Sequence, residues 1–151
     1  MLFNMQKTVI LFFSFMMVSL FAVSQKSSIF EKDGKALGGY DVVAYFNLGE
    51  PKKGIDSLST NWNNTTWLFS SASNLELFKQ SPEKYVPQYG GYCAYGTAEG
   101  HKAPTQPDAW AIIEGKLYLN YNKKVKAIWD KDQPGYIEKA NKNWPDLKDK
   151  E

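Results

Sequence analysis

The chain has 151 residues, with 18 Lys plus Arg against 16 Asp plus Glu, a formal charge of +2, and every basic residue a lysine. That near balance, without arginine or a basic block, excludes a nucleic-acid binder, which needs a cationic stripe and relies on Arg. A content of 43% apolar and 15% aromatic residues excludes disorder, and one Cys excludes an intramolecular disulfide framework.

The N-terminus reads as an export signal over residues 1–24. Lys7 is its positive region, the run from Thr8 to Phe21 its apolar region, and Ala22-Val23-Ser24 the small residues before a cut. The run is shorter than the roughly 20 residues of a comfortable span. Cleavage is therefore expected, with no stable membrane span left behind. No Cys adjoins the cut and no Arg pair precedes it, so a Sec-type route to a periplasmic or extracellular location is expected. All four Met lie in this segment, and beyond it stand one Cys, Cys93, and one His, His101.

Residues 25–38 read as a polar, extended lead-in. Val42-Val43-Ala44-Tyr45-Phe46 reads as a short buried strand by length and β-branching. Asn47 to Ser59 carries Gly49, Pro51 and Gly54 and reads as a loop. Thr60-Asn61-Trp62 and Thr66-Trp67-Leu68-Phe69 flank Asn63-Asn64-Thr65, a hairpin turn. Ser73-Asn74-Leu75-Glu76 is a capping-box pattern opening a helix that ends near Gln80. Ser81 and Pro82 start another helical turn, which Pro87 ends. A Gly- and Tyr-rich stretch from Gln88 to Gly96 follows, then His101 in a Pro-containing loop.

Ala109 to Ile113 and Lys116 to Asn120 surround Glu114-Gly115, a second hairpin. Asn122 caps a helix with Val125, Ile128 and Trp129 on one face. Pro134-Gly135 breaks the chain, and a last helix carries Ile137, Ala140 and Trp144 until Pro145 stops it. Residues 148–151 form a frayed tail. The sum is a small single α+β domain over residues 39–147, with two β-hairpins and several short helices.

Several of these stretches together resemble exported YHS-domain proteins. They are Gly39-Tyr40-Asp41-Val42-Val43-Ala44-Tyr45-Phe46, Trp67-Leu68-Phe69-Ser70-Ser71, Phe78 with Pro82-Glu83-Lys84-Tyr85, Tyr89-Gly90-Gly91-Tyr92-Cys93-Ala94-Tyr95-Gly96, and Gly115 to Asn122. The resemblance runs over residues 39–144 and implies a YHS-like fold. The broader group resembles metal-binding modules of heavy-metal pumps and implies a transition metal, often copper. Three cysteines mark the metal-binding modules of that group. Ala44, Ser70 and Asn74 stand at those positions here.

A metal would then fall to Cys93 and His101, a thiolate and an imidazole that suit Cu(I). The expected function is an exported binding module that handles a transition metal, copper favoured, with a metal-handling partner. A homodimer would pool two Cys93 and two His101 into a four-ligand site. The alternative is a metal-free module that binds a small ligand or a protein through the loop of Gly90, Gly91, Tyr92 and Tyr95, with Asp41 nearby. Its aromatics would wall a pocket for a flat or apolar ligand, and the glycines would permit close approach. Cys93 with His101 is the one nucleophile–base pair available. No residue is evidently placed to orient it and no helix start to form an oxyanion hole, so binding is expected rather than catalysis.

Overall fold

The structure is a computed structural model that describes residues 27–150; the expected signal over residues 1–24 lies outside the described residues. Helices and two small sheets make an α+β domain. Among the described residues no helix is long and apolar enough to cross a membrane.

The expected first hairpin is present. Strand β3 (Ile55–Trp62) pairs antiparallel with β4 (Thr65–Phe69), following β1 (Glu31–Lys32) and β2 (Lys35–Ala36) in the chain. Asn63 and Asn64 turn it with φ of 51° and 59°, the left-handed region that asparagine tolerates. β3 starts well inside the expected loop, with a register shift between Ile55 and Ser59. It is a sheet edge, and its polar, exposed start carries no apolar alternation to read.

The lead-in is not simply extended. β1 and β2 form a tight hairpin, and β2 joins β4 in parallel through Lys35 and Thr66, giving the order β1-β2-β4-β3. Ile29 ahead of it is 3% exposed and belongs to the core.

The expected strand over residues 42–46 is instead helix α1 (Val42–Asn47). A five-residue apolar run has no period that separates a buried strand from a buried helix. The preceding residue decides it. Asp41 Oδ1 accepts from the backbone N–H of Val43 and Ala44, at 2.9 and 3.2 Å, and so caps a helix start. Its Oδ2 accepts from Ser70 N, Ser70 Oγ and Asn74 Nδ2, at 2.8, 2.6 and 2.7 Å. Asp41 is fully buried, and one carboxylate thereby ties α1, the end of β4 and helix α2 (Ala72–Gln80).

The cap of α2 is Ser71, whose Oγ accepts from Asn74 N, not Ser73. Helix α3 (Pro82–Tyr85) starts at Pro82 as expected. The second hairpin, β5 (Trp110–Ile113) and β6 (Lys116–Leu119), turns at Glu114-Gly115. Ahead of this hairpin in sequence lies α4 (Ala94–Ala98), and after it α5 (Lys123–Trp129), capped by Asn122. Trp129 is the buried residue of α5, while Ile128 is 41% exposed. Pro134 does not break the chain; it sits in the first turn of α6 (Gln133–Leu147), where its missing N–H costs nothing. Pro145 does not stop α6 either, since near a helix end it forfeits a single bond. The carbonyls of Lys148 and Lys150 each accept from Lys102 Nζ at 2.7 Å.

Strand β6 divides two cores. Leu117 and Leu119 face the first, with Val42, Val43, Trp67, Phe69 and Phe78. Tyr118 faces the second, with Tyr89, Ala94, Trp129 and Ala140. Alternation along one strand sends neighbours to opposite sides.

Asp41→Asn would set an amide N–H₂ against donors and orphan at least one of them. We expect a loss of about 2–4 kcal/mol in urea unfolding, with the fold retained; an unchanged midpoint would remove Asp41 from its role.

Candidate functional site

Cys93 is 1% exposed and caps α4. Its Sγ accepts from Gly96 N at 3.4 Å and from Tyr121 N at 3.2 Å, and its thiol donates to Asn120 Oδ1 at 3.6 Å. Tyr95 N also donates to Asn120 Oδ1, at 3.1 Å, which fixes how the amide is oriented. The Cys93 N–H donates to Ala103 O. Through its sulfur Cys93 joins α4 to the residues just past β6, and through its backbone N–H it holds the 101–107 loop. The structure does supply a helix start at Cys93, contrary to the sequence expectation. Burial pushes the thiol pKa up, and the N–H groups of Gly96, Tyr121 and Tyr95 pull the other way without reversing it. The net result is a satisfied neutral thiol, the opposite of an activated nucleophile.

His101 is exposed and lies beside Gly96. Its N–H donates to Gly96 O, and its Nε2 is 3.3 Å from where a Cβ on Gly96 would stand. The two expected metal ligands thus flank one glycine. Among the described residues no group of three or more His, Cys, Asp or Glu is arranged to hold a metal ion.

The glycine loop is used differently from the expectation. Gly90 has φ of +60°, and a Cβ on it would stand 1.7 Å from Ser28 O. Phe30 N donates to Gly90 O at 2.8 Å and Tyr92 Oη to Ser27 O at 2.9 Å. The chain's own residues 27–30 make the close approach that a ligand was expected to make. Gly91 is likewise packed, on the Leu37 side chain.

Two clefts flank this strap. One, about 380 Å³, runs beside Gly90 and is walled by Trp62, Tyr89 and Trp144, with Glu83 and Lys148 at its ends. The other, about 370 Å³, lies between Phe30, Glu31, Tyr92 and Lys102. There Lys102 Nζ sits 5.2 Å from the Tyr92 ring centre and 5.9 Å from that of Trp144. Tyr95 lines neither; its ring packs on Tyr136 at 5.2 Å. Asp41 is spent in its own hub. Ala44, Ser70 and Asn74 all donate to that one carboxylate, through Ala44 N, Ser70 N and Oγ, and Asn74 Nδ2.

The sequence reading missed Asn120, Lys102, Trp144 and the strap. Asn120 carried a signal: a polar residue continuing the inward register of an alternating strand needs a buried partner. Its Nδ2 and Trp129 Nε1 are buried without a partner among the described residues.

No family model, no curated protein and no solved structure matches this chain.

The raised thiol pKa fixes a pH dependence. Stability from the buried neutral thiol is full below the ordinary thiol value of 9.0 and is lost as pH rises past it, because the unfolded chain then ionises first. Cys93→Ser should flatten the fall in urea midpoint between about pH 8 and pH 9.5. Parallel curves for both proteins would show that the thiol contributes none of it.

Proposed function

We propose that this chain is an exported, non-catalytic binding module of the YHS kind that takes a flat or apolar small molecule in the aromatic cleft beside Gly90. The observation that carries the reading is the cleft itself: about 380 Å³ between Trp62, Tyr89 and Trp144. That size suits a small organic ligand, and ring faces reward a planar one. Glu83 and Lys148 give the rim one charge of each sign. The buried, neutral, hydrogen-bonded state of Cys93 favours this reading over chemistry at sulfur.

The test is quenching of tryptophan fluorescence by a panel of planar aromatic compounds. Saturable quenching is expected, weakened about tenfold, or about 1.4 kcal/mol, by Trp62→Leu and unchanged by Cys93→Ser. No saturable quenching across the panel, or equal affinity in Trp62→Leu, rejects the cleft.

A second reading has its own support, because Cys93 and His101 flank Gly96. In it the module carries a transition metal, copper favoured, on these two side chains, and a homodimer supplies four ligands. The N–H groups at Sγ would then stabilise a metal-bound thiolate. An anaerobic Cu(I) competition titration decides it. Binding lost in both Cys93→Ser and His101→Ala supports the reading, with one metal per two chains marking a shared site. Binding retained in either variant rejects the pair.

A further inference from the structure

A third cleft, which shares Asn141 with the aromatic cleft, lies between the β5–β6 turn and α6. It measures about 390 Å³. Glu114, Lys116 and Tyr118 line it from the hairpin, and Ile137, Glu138 and Asn141 from the helix.

Tyr118 is the informative residue. It is 3% exposed, its ring packed against Tyr89 and Trp129 in the second core. Buried tyrosine hydroxyls ordinarily find a hydrogen-bond partner. The Tyr118 hydroxyl bonds no group among the described residues, although Tyr89 beside it bonds Asn141 Oδ1 at 2.9 Å, and unlike the Asn120 amide and the Trp129 indole it is not sealed inside the core. It opens into the cleft instead. Burial and the nearby Glu114 carboxylate both raise the Tyr118 pKa, so the carboxylate is within electrostatic reach of the phenol.

The charges in the cleft point the same way. Glu114 and Glu138 face it from opposite walls, and neither joins an ion pair among the described residues. Lys116 adds one ammonium, which leaves the lining net negative. Glu114 itself has φ of 51°, in a turn position that asparagine or glycine fills with less strain.

We propose that this cleft binds a small organic amine: the protonated nitrogen between Glu114 and Glu138, the Tyr118 hydroxyl accepting from it, and the carbon skeleton against Ile137. A free amine and the ammonium end of an amino acid share this chemistry. Lys116 would favour the amino acid by taking its carboxylate. Its charged residues, Glu114, Lys116 and Glu138, do not line the aromatic cleft, so either site can fail alone.

The test is calorimetric titration of the purified chain with phenethylamine, phenylalanine and phenylpropionate, with calcium as a further arm. Saturable binding of phenethylamine or phenylalanine, and none of phenylpropionate, is expected. Tighter phenylalanine would assign the amino acid, and tighter phenethylamine the simple amine. Glu114→Gln and Glu138→Gln should each weaken binding about tenfold, and Tyr118→Phe several-fold. The Tyr118→Phe protein should keep its urea midpoint, since that hydroxyl holds nothing in the fold. No saturable binding of either amine, equal binding of phenylpropionate, affinity unmoved by both glutamate variants, or calcium binding in place of the amines would overturn the proposal.

Discussion

A carboxylate buried to zero exposure with neutral donors as its only hydrogen-bond partners is the constraint on which the first half of the domain rests. An ionised group taken out of water is tolerated when its lone pairs are filled, and Asp41 fills them with five donors from three elements. That requirement sets the start of α1, the exit of β4 and the approach of α2 at once. None of the three can shift without leaving a donor or an oxygen unmet. Asn47 adds to the clamp through Asn74 Oδ1 at 2.8 Å.

The second half is organised by β6 instead. Its leucines close one core and its tyrosine another, and just past its end Asn120 and Tyr121 reach the Cys93 sulfur. Cys93 is therefore placed by residues that follow it in the chain, and the helix it caps packs chiefly on α6. Two of the clefts lie beside this second core, where Trp144 of α6 packs on Tyr89 and Tyr92.

The two expected hairpins were legible because Asn63-Asn64 and Glu114-Gly115 each offer a turn residue that takes positive φ between two apolar runs, and Asn122 was legible because a cap acts on its own neighbours. What could not be read were the outcomes set at long range. Asp41 caps Val42–Asn47 locally, but the short apolar run after it fits a strand as well as a helix, and the partners that hold Asp41 in place, Ser70 and Asn74, lie far along the chain. At the candidate site Cys93 and Gly90 stood out by residue type alone. Their partners Asn120, Tyr121 and Ser28 come from distant segments that no local pattern pairs with them. The close approach at Gly90 was anticipated in kind and mistaken in occupant: backbone, not ligand, fills it.

The strap over Gly90 has a consequence for how the domain closes. Phe30 and Ser27 belong to the first described stretch, yet the groups they bond, Gly90 O and Tyr92 Oη, lie far downstream. In a chain that emerges from its N-terminus, that stretch has no destination until the glycine loop has appeared. Such non-local pairing is slow to form because loop closure precedes any reward. The β2–β4 pairing carries the same delay, since Lys35 must wait for Thr66. The leading segment can form its own β1–β2 hairpin early, but its bonds to the glycine loop wait for residues 88–92, and the first core, of which Ile29 is a part, is not complete before then.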